Sequence, residues 1–268
     1  MRWERMTAPE IQALAGPETV VVLPVGSLEQ HGPHLPVFTD SRCAHEIALR
    51  AAAQARTRAL VLPPIWLGLS EHHLPFGGTI SADYATFHAM IRSVARSLKA
   101  LGFARLLIVN GHGGNIDPLA VSVRECAHEF GMAVVAITWP QAAPEEIRQI
   151  LTAQPAIMHA CEGETSLWLA LDPAQVRQER IPAPVNSPPG APAGFVRFYS
   201  FWERAAPTGV RGDARAASAE KGAAILAAVS AAIARAMDDP ALWSLPDPVW
   251  QAGRGLPPAA GAVGGEGG

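Results

Sequence analysis

Four short apolar runs, at residues 20–25, 59–65, 105–109 and 133–138, alternate with longer stretches of helical period. The first reads Val-Val-Val-Leu-Pro-Val and the third Arg-Leu-Leu-Ile-Val. Neither alternates apolar with polar residues, so neither strand leaves a face for water. Continuous runs of this kind belong to parallel sheets covered by helices on both sides. Residues 84–101 set Phe87, Met90, Ile91, Val94, Leu98 and Leu101 at helical spacing, with Gly102 as the stop. Residues 41–55 and 116–130 also read as helices, the latter closed by Gly131. The alternation predicts an α/β fold around a mostly parallel sheet. After Pro140 the pattern weakens to a helix at 162–171, a loop-rich stretch at 181–215 and an alanine-rich helix at 216–237.

No linker interrupts the chain, so residues 1–250 are expected to form one domain; 49% of the residues are hydrophobic, which is ample for a large core. The Gly-, Ala- and Pro-rich tail at 251–268 has little to bury and is expected to be disordered. A net charge of −3 without a basic run argues against nucleic acid as a partner. Apolar stretches are broken well short of a membrane span, and the first residues lack the apolar core of a secretory signal. Cys43, Cys126 and Cys161 fit neither a zinc cluster nor a disulfide framework, which predicts a reduced, cytoplasmic protein.

Two of the expected strands run directly into loops rich in metal-binding side chains. Gly26-Ser-Leu-Glu-Gln-His-Gly-Pro-His-Leu-Pro-Val-Phe-Thr-Asp40 carries Glu29, His31 and Asp40, and Asn110-Gly-His-Gly-Gly-Asn115 carries His112. Glu29 and His31 are two apart on extended chain, where alternate residues share a face. In open parallel sheets ligands bind beyond the carboxyl ends of the strands, so both loops can serve one site. Imidazole with carboxylate suits zinc, manganese or iron, and open positions on such a metal support hydrolysis. Asp40 has a second reading as a helix N-cap, and Asn115 as the cap of the next helix. The amides of Gly113 and Gly114 near a helix start are placed to steady a developing oxyanion. In Met158-His-Ala-Cys-Glu-Gly-Glu-Thr-Ser166, Glu162 reads as a partner of the helix dipole, whereas Glu164 and His159 read as site residues. His34, His72 and His73 are further candidates to line the site, and the histidines on helices (His45, His88, His128) are not.

These segments, together with Phe76-Gly-Gly-Thr-Ile-Ser81 and Gly209-Val-Arg-Gly-Asp-Ala-Arg-Ala216, resemble the creatininase (creatinine amidohydrolase) family from about residue 3 to 238. The resemblance implies a three-layer α/β/α sandwich, a homo-oligomer that is often a hexamer, and two divalent metals per chain hydrolysing a carbon–nitrogen bond. One metal would take Glu29, Asp40 and His112. The other would take His31 and the second oxygen of Asp40, with His159 as a proton-transfer group. Substrate contacts are expected from His73, Gly78, Thr79, Gly113, Gly114 and Asn115. Creatininase itself carries a carboxylate two residues after the loop histidine, where this chain has Gly114. The chain therefore resembles the broader branch, which includes a formamide deformylase and a peptidase that trims a redox-cofactor precursor. Glu164 is expected to supply the missing carboxylate. Trp139 and Trp202 are candidates for the tryptophan that covers the substrate.

The sequence thus predicts a metal-dependent amidohydrolase acting on a small amide, a lactam, a formamide or a short peptide through a metal-activated water, with a non-peptide bond favoured. Its rivals are a single-metal deformylase, a peptidase of cofactor precursors, and a non-catalytic oligomer that keeps a structural metal.

Overall fold

The computed structural model describes residues 1–245 except 186, 189–191 and 193–196. The tail expected to be disordered lies outside the described residues, as does the end of the expected domain at 246–250. Four strands, Val20–Val25 (β1), Ala59–Val61 (β2), Arg105–Asn110 (β3) and Ala133–Thr138 (β4), form one sheet in the order β2-β1-β3-β4. All three pairings are parallel. The helices are Ala8–Leu14 (α1), Thr39–Gln54 (α2), Tyr84–Ala100 (α3), Ile116–Phe130 (α4), Pro144–Ile150 (α5), Glu162–Leu171 (α6), Trp202–Ala205 (α7) and Ala219–Met237 (α8).

Alternation along β1 divides the interior into two layers. Val20 and Val22 face Ile47, Ala48 and Ala51 of α2 and Ile225, Val229 and Ile233 of α8. Val21, Leu23 and Val25 face Phe87, Ile91 and Leu98 of α3 and Leu119 and Cys126 of α4. Every residue of β1 is buried; each such aliphatic side chain contributes about 1.5–3 kcal/mol. This is the three-layer α/β/α arrangement. The helix ends follow local chemistry. The Asp83 carboxylate accepts from Thr86 N to start α3, and Gly131 closes α4 in the left-handed region at φ 56°.

Two boundaries differ from the sequence reading by three residues or more. The second strand stops at Val61 rather than 65, because Pro63 and Pro64 have no N–H for the ladder. Ile65 rejoins the sheet edge through Gly26 N and Pro24 O. The last helix starts at Ala219 rather than 216, since the Ser218 hydroxyl caps Lys221 N.

Topology decides where a ligand can sit. The connection from β1 to β2 moves one way along the sheet with α2 on one face. The connection from β2 to β3 returns past β1 with α3 on the other face. The order therefore reverses between β1 and β3, and the crevice opens beyond their carboxyl ends, where Val25 pairs with Asn110.

Candidate metal centre

The loops leaving β1 and β3 bring Glu29, His31, Asp40 and His112 together, none of them more than 3% exposed. Asp40 is the second residue of α2, and no side chain caps that helix. Its carboxylate instead spans two histidines, with Oδ1 3.1 Å from His31 Nε2 and Oδ2 3.0 Å from His112 Nδ1. Glu29 Oε2 lies 3.3 Å from His112 Nδ1. From the start of α6, Glu164 brings Oε1 to 3.9 Å from His31 Nε2. Two candidate cation clusters result, Glu29–Asp40–His112 and His31–Asp40–Glu164, and Asp40 belongs to both. A third grouping, Glu29–His31–His159, overlaps them.

Surrounding hydrogen bonds set the tautomers. His31 Nδ1 lies 3.1 Å from the Glu29 carbonyl oxygen, so its proton belongs there and Nε2 presents a lone pair to the cluster. His112 is the mirror case. Its Nε2 lies 2.9 Å from the Leu69 carbonyl oxygen and 3.1 Å from Ser70 Oγ, which leaves Nδ1 turned inward. Ordering a ligand imidazole through its outer nitrogen is how proteins prepare histidine for a metal. Glu29 Oε2, His31 Nε2 and Asp40 Oδ2 are buried without a hydrogen-bond partner, although they face one another at close range. Buried polar atoms are rarely left so. Among the described residues, the ion-pair partners of Glu29, Asp40 and Glu164 are all histidines. Three buried carboxylates with two inward-facing imidazoles fit divalent cations of the zinc, manganese or iron type.

The titration pattern has the same cause. Burial opposes the charged form of His31, yet the Asp40 and Glu164 carboxylates raise its pKa well above the ordinary value. Burial likewise opposes the His112 cation, and Glu29 with Asp40 overcomes it. Burial opposes the charged form of Glu29, yet the His112 cation holds it well below the carboxylate range. Glu164 is pushed up by burial, with His31 pulling against the shift. His159 is driven well below its usual value by burial and by His31, and burial pushes His73 down to about 3. These two rings are neutral.

The clusters open into a cavity of about 1060 Å³, whose walls include His73, His159, Gly113 and Gly114. His159 directs Nδ1 to within 3.4 Å of Glu29 Oε1, while its Nε2 lies 2.9 Å from the Gln30 carbonyl oxygen. The side-chain amide of Gln30 contacts His73 Nδ1 at 2.9 Å and donates to the Gly209 carbonyl at 3.1 Å. Gln30 therefore orients both neutral rings, a role that the sequence reading missed. Its signal was its place between Glu29 and His31. Phe201 stacks on His73 with ring centres 4.2 Å apart and was also missed.

Three expected substrate contacts are placed away from the cavity wall. Asn115 is fully buried, and its amide is spent on Leu69 N, Gly26 O and Asn110 Oδ1. It ties the two loops together and does not cap α4 with its side chain. Thr79 and Gly78 lie outside the cavity wall; the Thr79 hydroxyl accepts from Gln30 N at 3.1 Å. His34, expected near the site, is buried against Thr165 Oγ1 at 2.9 Å and pushed down to about 4 by that burial. Trp139 lines the cavity, whereas Trp202 packs on Phe76. Glu162 does more than complement a dipole. It is fully buried and pairs with Lys221 from α8. Gly114 has no room for a carboxylate, since a Cβ there would lie 2.3 Å from Leu69 O and 2.5 Å from His112 Nε2.

Residues 4–237 match the creatininase family, described as creatinine amidohydrolase. A mycofactocin precursor peptide peptidase of Mycobacterium tuberculosis is 35% identical over 225 residues, covering 78% of this chain and 80% of that protein. The creatinine amidohydrolase of Pseudomonas putida is 31% identical over 240 residues, covering 82% and 90%. A solved manganese form of creatininase superposes with a TM-score of 0.73 at 30% identity, covering 88% of this chain and 96% of that one. A dizinc creatininase is a further structural neighbour.

Proposed function

Because this chain belongs to the creatininase family of carbon–nitrogen hydrolases, we propose that it is an amidohydrolase using two divalent cations. Glu29, Asp40 and His112 would hold one, and His31, Asp40 and Glu164 the other. The observation that carries this reading is the Asp40 carboxylate set between two imidazoles whose free nitrogens both face inward. When bound, the cations supply Lewis acidity, polarising the amide carbonyl and making water more acidic. The protein's own groups complete the chemistry. The Gly113 and Gly114 amides support the oxygen that gains charge, as donors at a helix start do. His159, neutral and anchored by Gln30, accepts a proton and returns it to the leaving nitrogen, and Glu164 is the second proton-transfer group. His73 and Phe201 wall off the reacting end of the cavity from water. A purely structural metal needs none of this open space.

A second reading concerns the substrate. A cavity of about 1060 Å³ reaches the upper limit of small-molecule sites, which run to about 1,000 Å³. That volume favours a short peptide over a compact ring such as creatinine, in keeping with the peptidase relative. A homo-oligomer, hexameric as in the expectation above, is part of the proposal; exposed Val37, Phe38, Leu74 and Ile80 support it. Three free, buried cysteines support a reducing, cytoplasmic setting, and no helix among the described residues is long and apolar enough to cross a membrane.

Elemental analysis of purified protein tests the site, together with hydrolysis assays on formamides, lactams and short peptides. Two equivalents of metal per chain are expected, falling in His31→Ala and His112→Ala together with turnover. One equivalent with full activity would favour the single-metal deformylase. Wild-type metal content in either variant would remove that residue from the ligand set.

A further inference from the structure

Three arginines among the described residues line the cavity, and two of them are spoken for. Arg148 pairs with Glu145 at 2.6 Å, and Arg197 pairs with Glu203 at 3.0 Å. Arg211 has no carboxylate partner among the described residues, and its Nε is buried without a hydrogen-bond acceptor. A guanidinium donor withdrawn from water and left unmatched is a costly arrangement, so it calls for an explanation.

The backbone shows where this side chain begins. Arg211 and His159 form an isolated antiparallel bridge, with Arg211 N to His159 O at 2.9 Å and His159 N to Arg211 O at 3.3 Å. Residues that exchange both bonds lie opposite one another, with Cα atoms about 5.5 Å apart and side chains on the same face. Both residues of this pair line the cavity. Arg211 thus projects beside the proton-transfer histidine rather than at the distant rim. The segment is also held from its far side, where Asp213 N donates to Gln154 Oε1 at 3.0 Å. The position is fixed while the charged end stays unmatched.

We propose that Arg211 is a specificity-determining residue, the anchor for an anionic oxygen group of the substrate close to the bond that is cut. A guanidinium recognises carboxylate and phosphate through the same planar fork. The substrate class is therefore an amide that carries one of these two groups. This deepens the amidohydrolase reading and rests on it for the bond that is cleaved. It does not rest on it for the binding itself.

The test is binding calorimetry on the metal-loaded protein as purified, so that turnover is not needed. The probes are Ala-Ala-Phe with a free carboxyl end, the same peptide amidated at that end, and phenyl phosphate. Wild type is expected to bind one anionic probe at least about ten-fold more tightly than the amidated peptide, in line with a charge-assisted hydrogen bond. Arg211→Gln should erase that preference, and Arg211→Lys should restore part of it, since lysine keeps the charge without the fork. Preference for the free carboxyl end assigns a carboxylate, and preference for phenyl phosphate assigns a phosphate. Metal content and melting temperature of each variant show whether His159 and the clusters remain in place. A preference that survives in an intact Arg211→Gln overturns the proposal, as does equal binding of all probes by wild type. Absence of metal from active-site-intact protein would refute the two-cation reading while leaving the Arg211 result readable.

Discussion

Replacing Glu162 by Gln tests the reading of α6 most sharply, because Glu162 and Glu164 are two residues apart and have opposite assignments. The Glu162 side chain is fully buried and Lys221 is 21% exposed. Its carboxylate accepts from Thr152 N and Ala153 N, both at 2.9 Å, from Thr152 Oγ1 at 3.0 Å and from Lys221 Nζ at 2.5 Å. Glutamine keeps the shape, but it replaces one acceptor oxygen with a donor that faces other donors and leaves the lysine charge unmatched. Breaking a buried pair in this way costs about 3–5 kcal/mol, and partial exposure of Lys221 puts the expected loss near the lower end, about 3 kcal/mol. For a chain of this size that is a fall of about 6–12 °C in melting temperature.

The pH dependence has a definite sign. Burial raises the Glu162 pKa, but Lys221 and the Ala153 and Thr152 donors lower it more, so the folded value lies below the ordinary 4.5. A depressed carboxyl contributes stability that is present above the unfolded pKa and lost as pH falls through the folded one. The gap between wild type and Glu162→Gln should therefore be full at neutral pH and narrow below about pH 4.5. Thermal and urea unfolding across that range measure it. Turnover of the folded variant should stay close to wild type, since Glu162 does not line the cavity. A stability change under about 1 kcal/mol, or native melting with lost turnover, would refute the assignment.

Glu164→Gln should do the reverse, cutting turnover at least about 10²-fold with one metal equivalent lost and little change in melting temperature; metal analysis beside kinetics decides it. Gly114→Ala should displace His112, because the new methyl would meet His112 Nε2 at 2.5 Å and Leu69 O at 2.3 Å; metal content is again the readout. Asn115→Ala should leave KM unchanged but lower stability by about 1–3 kcal/mol, since it strips three buried partners of the amide. A KM change without a stability change would return Asn115 to the substrate contacts.

What could be read from the sequence was local. Unbroken apolar runs announced a buried parallel sheet, and their loops announced where ligands would gather, because strand ends and ligand loops adjoin in the chain. What could not be read depends on partners far away in sequence. Lys221 reaches Glu162 across 59 residues, and Gln30 meets His159 across 129. Thr79 looked like a pocket residue because it sits in a Gly-rich loop, yet its hydroxyl faces the Gln30 backbone. Arg211 carries no local mark at all, since only the bridge to His159 brings it beside the site.

In the proposed site the second cluster takes its carboxylate, Glu164, from α6 rather than from the β3 loop. Glu29, Asp40 and His112 hang on β1, α2 and β3, the most deeply packed part of the sheet. The His31–Asp40–Glu164 cluster depends in addition on the first turn of α6. That turn is fixed by Glu164 itself, whose Oε2 accepts from Ala160 N at 2.5 Å, and by the Glu162–Lys221 pair. Ala160 sits in the left-handed region at φ 50°, a conformation that costs a residue with a Cβ about 1 kcal/mol or more and persists only where neighbours enforce it. The second cluster therefore rests on a strained and charge-pinned turn, the first on a packed sheet. Loosening that turn should release the cation at Glu164 before the one at Glu29. In wild type a graded chelator titration should therefore remove one equivalent before the other, and Glu164→Gln should abolish the early phase.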